Sequence, residues 1–283
     1  MSQPGSKGEL RKWIEEYCKN VKNHGEPNTW DVTLVTDMTE LFKDMTFNAP
    51  IDQWDTSQVT NMTFMFHEAT AFNQPLTQWN TSQVTNMSGM CCEATVFNNG
   101  GQPLTLDTSQ VTNMESMFSG AIAFNQPLTL DTSQVTDMSF MFYNASAFNQ
   151  PLNKWNTSNV TDMESMFENA IAFNSELDFT DTSQVTNMES MFENAIAFNQ
   201  DISMWDLSQK DTRNMFKNAT AFNNATSSEE ESEEESEEES EEESEEESEE
   251  ESEDSSVETT SVETTSVETK SEYRVYYRTS PVS

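Results

Sequence analysis

The sequence predicts an α/β repeat solenoid of about eight coils, capped at its first end by a helix and followed by a disordered acidic tail. Three observations carry that expectation. The first is recurrence: Val59-Thr60-Asn61-Met62, Met65-Phe66, Ala69, Phe72-Asn73-Gln74-Pro75-Leu76 and Trp79 return at intervals of about 25 residues. The landmark valines fall at 35, 59, 84, 111, 135, 160 and 185, and a worn last copy ends at Phe222-Asn223. A fixed period of this size marks units that can bury their apolar faces only against their neighbours. The second is the helical apolar spacing of the first 27 residues, and the third is the abrupt turn to Ser and Glu after residue 226.

The head, residues 1–27, reads as one helix over about 8–22. Leu10, Trp13, Ile14, Tyr17, Cys18 and Val21 fall on one face. Ser6 with Glu9 suggests a capping box, and Gly25 a stop. A helix this short gains little alone in water, so its stripe must dock, and the open end of the first coil is the nearest place.

In the body, residues 28–226, the Val59/Asn61 alternation reads as a short extended piece. Met65, Phe66 and Ala69 then sit at helical spacing. Phe72-Asn73 bends the chain, Leu76 to Trp79 forms a second extended piece, and Asp55-Thr56-Ser57 makes the second turn. Val59, Met62, Met65, Phe66 and Phe72, with Phe118, Phe142, Phe167 and Phe192, are the expected core. Stacking in register lays Asn48, Asn73, Asn98, Asn125, Asn149, Asn174, Asn199 and Asn223 along one ladder that satisfies turn amides. The Asn99-Gly100-Gly101 insertion is expected to bulge outward, and the last coil, with Thr212 for Met among Lys210, Arg213 and Lys217, to close the stack with polar groups.

The tail, residues 227–283, opens on a Ser-Glu repeat to Asp254, with twenty acids and no base from Glu229 on, which buries nothing and repels itself; three Ser-Val-Glu-Thr units and Tyr273-Arg-Val-Tyr-Tyr-Arg-Thr follow. Ser228, Ser232, Ser236, Ser240, Ser244 and Ser248 lie in acidic surroundings suited to an acidophilic kinase, each phosphate adding roughly −1.5 to −2 charge. The formal net charge is −38, and Lys154 is the lone Lys or Arg between Lys43 and Lys210. Nucleic acid needs a basic face, so it is not an expected partner, and an anionic membrane surface would repel the chain. Weak divalent-cation binding by the tail is compatible with its charge.

Catalytic chemistry has few candidates. Cys18, Cys91 and Cys92 imply neither a disulfide framework nor a zinc site, and Cys91 stands where other repeats carry Phe. His24 and His67 are the sole histidines, and no nucleophile–base pair is in view. The recurring methionines (Met62/Met65, Met87/Met90, Met114/Met117) read as core filling rather than a soft-metal site. The Asn-x-Ser/Thr matches are by-products of the repeat, and the turn carboxylates lack the Gly-Asp loops of calcium-binding rolls. The sequence therefore predicts no enzyme and no cofactor. The first residues show no apolar leader segment, and no run approaches 18 apolar residues, which reads as intracellular with no membrane insertion.

Trp54-Asp-Thr-Ser-Gln-Val-Thr-Asn-Met-x-x-Met-Phe with Ala69-x-x-Phe-Asn-Gln resembles the BspA-like leucine-rich-repeat surface-protein family, the mycoplasmal and listerial surface-lipoprotein type, over residues 28 to 224. The head resembles the helix preceding such repeats in related proteins of algae and their viruses. The resemblance implies a leucine-rich-repeat-like right-handed superhelix, cell-surface display, adhesion and no catalytic residue. Two functions are expected from these readings: an interaction or adhesion scaffold presenting a repeat face to a protein or glycan, or a polyanion whose tail binds basic proteins or divalent and mineral cations.

Overall fold

A computed structural model describes residues 2–179 and 181–223. The tail, with its six serines and Tyr273 to Ser283, lies outside the described residues.

Helix α1 spans Lys7–Cys18. The Ser6 hydroxyl accepts from the Glu9 N–H, while the Glu9 carboxylate accepts from the Gly5 N–H, so the first orphan donors are satisfied. The helix stops four residues short of the expected 22. Asn20 turns left-handed (φ 61°), and the Asn20 and Val21 N–H groups donate back to Tyr17 and Glu16. This is a Schellman close with Asn in the glycine's place. Leu10, Trp13 and Ile14 are buried, Cys18 is exposed, and Val21 is 41% exposed.

The repeats correct the expected α/β solenoid, and with it the leucine-rich-repeat-like right-handed superhelix of about eight coils. Among the described residues α1 is the one α-helix, and no β-sheet forms. The repeats meet through isolated parallel bridges running Asp37–Asn61–Asn86–Asn113–Asp137–Asp162–Asn187–Asp211, with one more at Leu104–Leu128.

The backbone shows why. From Met62 to Glu68 the N–H groups alternate in destination. Those of Met62, Phe64, Phe66 and Glu68 donate sideways to the carbonyls of Asn86, Ser88, Met90 and Cys92 in the next repeat. Those of Met65, His67 and Ala69 donate three residues back along their own chain. Each repeat is thus a run of tandem tight turns, stitched laterally at every second residue. Two left-handed residues per repeat, such as Phe64 (φ 52°) and Glu68 (φ 54°) or Ser165 (φ 50°) and Asn169 (φ 58°), prevent α-helix and strand alike. Buried Met62, Met65, Phe66 and Ala69 still follow i, i+3, i+4, i+7, because turns closing after three residues return side chains to the same side as a helix would.

Magnitudes place the stability in the core. Two left-handed residues cost roughly 1–2 kcal/mol each. Four lateral bonds return about 1 kcal/mol each. Those terms nearly cancel, so apolar burial decides whether a repeat forms. Phe42–Phe66, Phe118–Phe142, Phe142–Phe167, Phe167–Phe192 and Phe192–Phe216 stack at 5.0 to 5.7 Å. A second file, Phe72–Phe97–Phe124–Phe148–Phe173–Phe198–Phe222, runs beside it at 5.7 to 6.1 Å. Cys91 fills the gap in the first file and is buried.

Two polar ladders flank this core. Each asparagine side-chain oxygen, from Asn48 through Asn199, accepts from the next asparagine's N–H at 2.8 to 3.2 Å. Buried Thr56, Thr81, Thr108, Thr132 and Thr157 donate their hydroxyls to Asn80, Asp107, Asp131, Asn156 and Asp181 carbonyls. The insertion departs from its expected outward bulge. Asn99 turns fully inward, accepting from the Leu76 N–H and donating to the Gln102 and Pro103 carbonyls, and only the glycines face solvent.

Phe142 stacks on Phe118, Phe148 and Phe167 at once. Phe142→Ala should cost about 3–5 kcal/mol in urea unfolding. A loss below about 1 kcal/mol would show that the ring files do not carry the fold.

Candidate interaction surface

The repeats are nearly identical where the chain faces inward and differ where the tandem turns face out. The position following the first-file ring (Cys91 in one repeat) carries Lys43, His67, Cys92, Ser119, Tyr143, Glu168, Glu193 and Lys217 in successive repeats; His67, Cys92 and Ser119 are buried and the other five are half-buried or exposed. The turn before it carries Thr39, Thr63, Ser88, Glu115, Ser139, Glu164, Glu189 and Arg213. This face changes along the stack from mixed polar groups, through carboxylates, to cations.

His67 is buried, its Nδ1 3.2 Å from the Cys92 carbonyl oxygen and its Nε2 3.2 Å from a Glu68 carboxylate oxygen. Gly120 (φ +67°) lets the Glu93 carboxylate fold over it; a Cβ there would stand 2.4 Å from that group. Gly89 (φ +59°) receives the Phe64 ring in the same way, 2.1 Å from where a Cβ would stand. His24 stacks on Trp13 at 3.8 Å, far along the chain from His67. Burial pushes both thiols in the Cys91-Cys92 pair up, that of Cys92 to about 12, so they stay protonated and unreactive at neutral pH.

The carboxylates divide into two groups. Burial raises Glu93, with Glu68 adding repulsion, and raises Glu115, with Asp137 adding repulsion. Glu168 is also raised, chiefly by burial, against an opposing hydrogen bond from Ser165. At Glu193 burial acts upward, but hydrogen bonds from Lys217 and Ser190 outweigh it and its pKa falls. Arg213 lies against Glu189 and Asp211, and Lys217 2.8 Å from Glu193.

Beside this face runs an apolar ridge. Ile122, Ile171 and Ile196 are 48, 46 and 48% exposed, at one repeat position that Ser146 interrupts. Ala123, Ala147, Ala172 and Ala197 follow them in the same turns, none of them buried. Asn144, Asn169, Asn194 and Tyr143, none of them buried, precede this ridge in sequence. Exposed apolar groups arranged in a row, rather than scattered, mark contact surfaces.

The residues singled out from sequence lie elsewhere. Val59, Met62, Met65, Phe66, Phe72, Phe118, Phe142, Phe167 and Phe192 are all fully buried and support the surface without touching it. The repeating methionines are likewise inside. The ridge went unread because its residues vary between repeats; the recurring Ala-Ile-Ala was the available signal. Among the described residues no three His, Cys, Asp or Glu side chains gather as a metal group, and no helix is long and apolar enough to cross a membrane.

A family model for a mycoplasma protein of unknown function, DUF285, matches three overlapping stretches, residues 12–130, 102–181 and 152–249. No curated protein and no solved structure matches the chain.

The raised carboxylates fix a pH dependence. Their protons are held more tightly in the folded chain, so folding stability falls as pH rises from the ordinary Glu value of about 4.3 through their folded values. Stability should therefore be higher in mild acid than at neutral pH, until the lowered groups, Asp55 and Asp131 among them, protonate below about 4. Thermal melts across this range check it: Glu115→Gln should flatten the decline, and an unchanged slope would show that Glu115 contributes nothing to it.

Proposed function

The chain belongs to the DUF285 family, and from that premise we propose that it is a non-enzymatic interaction module of the BspA-like, adhesion type. Its partner is a protein or glycan held along the outward face of the repeats. The observation that supports this reading is the isoleucine ridge beside outward positions that differ from repeat to repeat. A rigid core with uniform inner files leaves specificity to those outward side chains, and partly exposed apolar groups supply the area that an interface core needs. The protonated thiols and the inward-turned His67 argue for binding over nucleophilic chemistry.

Pull-down from source cells tests it, with the full chain compared with the triple variant Ile122→Glu, Ile171→Glu, Ile196→Glu and with residues 1–226. The triple variant should lose the captured partner while keeping its melting temperature, and the tail-deleted chain should keep the partner. Loss on tail deletion alone would place binding in the acidic tail. Saturable turnover of a substrate, abolished by His67→Ala, would make the protein an enzyme.

A further inference from the structure

The lateral hydrogen bonds of the tandem turns run one way, opposite to those of the threonine row (Thr60 to Thr36, Thr85 to Thr60) and of the asparagine ladder, so the turn face of the stack has two chemically different ends. In the tandem turns every repeat donates alternate N–H groups toward the C-terminal side and offers alternate carbonyls toward the N-terminal side. At the first repeat the outward carbonyls are those of Asp37, Thr39, Leu41 and Lys43. Helix α1 reaches two of them, Arg11 donating to the carbonyls of Leu41 and Lys43 and also to that of Glu40; Lys7 pairs with the Asp37 carboxylate at 2.7 Å, and Leu10 and Ile14 are buried in the shared core. At the last repeat the matching donors are the N–H groups of Thr212, Asn214, Phe216 and Asn218. Among the described residues none of the four has an acceptor, while the preceding row of Met188, Ser190, Phe192 and Asn194 has all of its own. Phe216 and Phe222, the last rings of the two files, stack on each other at 3.9 Å and remain only partly buried.

We propose that the two ends are halves of one interface. A second copy of this chain adds its first repeat to the last repeat of the first copy, and α1 is the plug that keeps the chain from growing head to tail. The continuity is residue by residue. Thr212, Asn214, Phe216 and Asn218 would donate to Asp37, Thr39, Leu41 and Lys43 of the incoming copy, as Met188, Ser190, Phe192 and Asn194 do to Asp211, Arg213, Met215 and Lys217 within the chain. Phe216 would stack on Phe42 and Phe222 on Phe47, extending both ring files. Like charges would meet at Lys217 over Lys43, Asp211 over Asp37 and Asp206 over Asp31; Lys217 and Lys43 already have carboxylates, Glu193 and Glu40, Asp211 has Arg213, and carboxylates already stack within the chain at Asp137–Asp162. A heterologous contact of this kind does not close on itself, so unplugged chains form open filaments.

The test loosens the plug in the full chain with Leu10→Asp plus Ile14→Asp, and separately with the milder Ile14→Ala. Sedimentation velocity is run at physiological salt, where repulsion between the acidic bodies is screened within about 8 Å. Far-UV circular dichroism and a cooperative melt establish that the repeats stay folded, and Ile14→Ala decides the matter if the double variant does not. Unplugged chains should sediment as species that grow with concentration well past a dimer. Wild-type chains, which accept a copy at one end and block the other, should shorten these assemblies when added in small amount. Adding Phe216→Glu to the unplugged variant should return it to monomer. Folded, unplugged chains that stay monomeric would overturn the proposal. So would association that survives Phe216→Glu, which would mean the exposed apolar end adheres without the repeat register.

Discussion

Everything in the repeats depends on one constraint: each alternate N–H of the tandem turns must find, in the next repeat, the carbonyl one place before its own equivalent position. A tandem-turn backbone with two left-handed residues per repeat is unfavourable for an isolated segment. It persists only because the neighbouring repeat over-determines it through lateral bonds and stacked rings. Register is therefore not adjustable. A slip of one residue would exchange lateral donors with local ones and turn Phe66 or Phe142 out of the core.

That constraint separates scaffold from surface. Inward positions are held to Val, Met, Phe and Ala because each must stack on its own kind. The asparagine and threonine files are held because each hands a hydrogen bond to the next. Outward positions are released, and there the chain places Glu115, Tyr143, Glu168, Ile171 and Arg213. Glu93, Glu115 and Glu168 sit on a turn backbone that carries side chains close along one face, where burial desolvates each carboxylate and its neighbours repel it. The glycines serve the same geometry locally: Gly89 and Gly120 stand where a neighbour's side chain lies across the backbone.

Much of the architecture was legible in the sequence. The period gives the repeat boundaries, and the asparagine spacing gives a ladder that the structure makes with side-chain oxygens and main-chain donors. Secondary structure was misread for a definite reason. Met62, Met65, Phe66 and Ala69 have the spacing of a helix face, and tight turns that close every three residues produce that same spacing without helical dihedrals. Val59 and Asn61 suggested a strand, whereas a single bridge per repeat is all that forms before the chain turns. An insertion that lengthens one repeat reads as an outward bulge, yet the Asn99 side chain turns inward and accepts from the Leu76 N–H. The isoleucine ridge is legible only in the Ala-Ile-Ala that three of the repeats share, and its exposure follows from the turn geometry rather than from that recurrence.

The sequence by itself determined that the chain is built of stacked like units, which side chains lie inside them, and that the body carries almost no positive charge. Those are properties of composition and period, and every copy of the motif restates them. Only the tertiary structure decided the backbone path, because φ at Phe64, Ser165 or Ser190 is set by a partner some 25 residues away rather than by its own preference. It likewise decided the polarity of the tandem turns, with the Leu41 and Lys43 carbonyls bonded to Arg11 of α1 at one end and N–H groups presented at the other. The direction of a hydrogen bond between repeats is not written in either repeat alone.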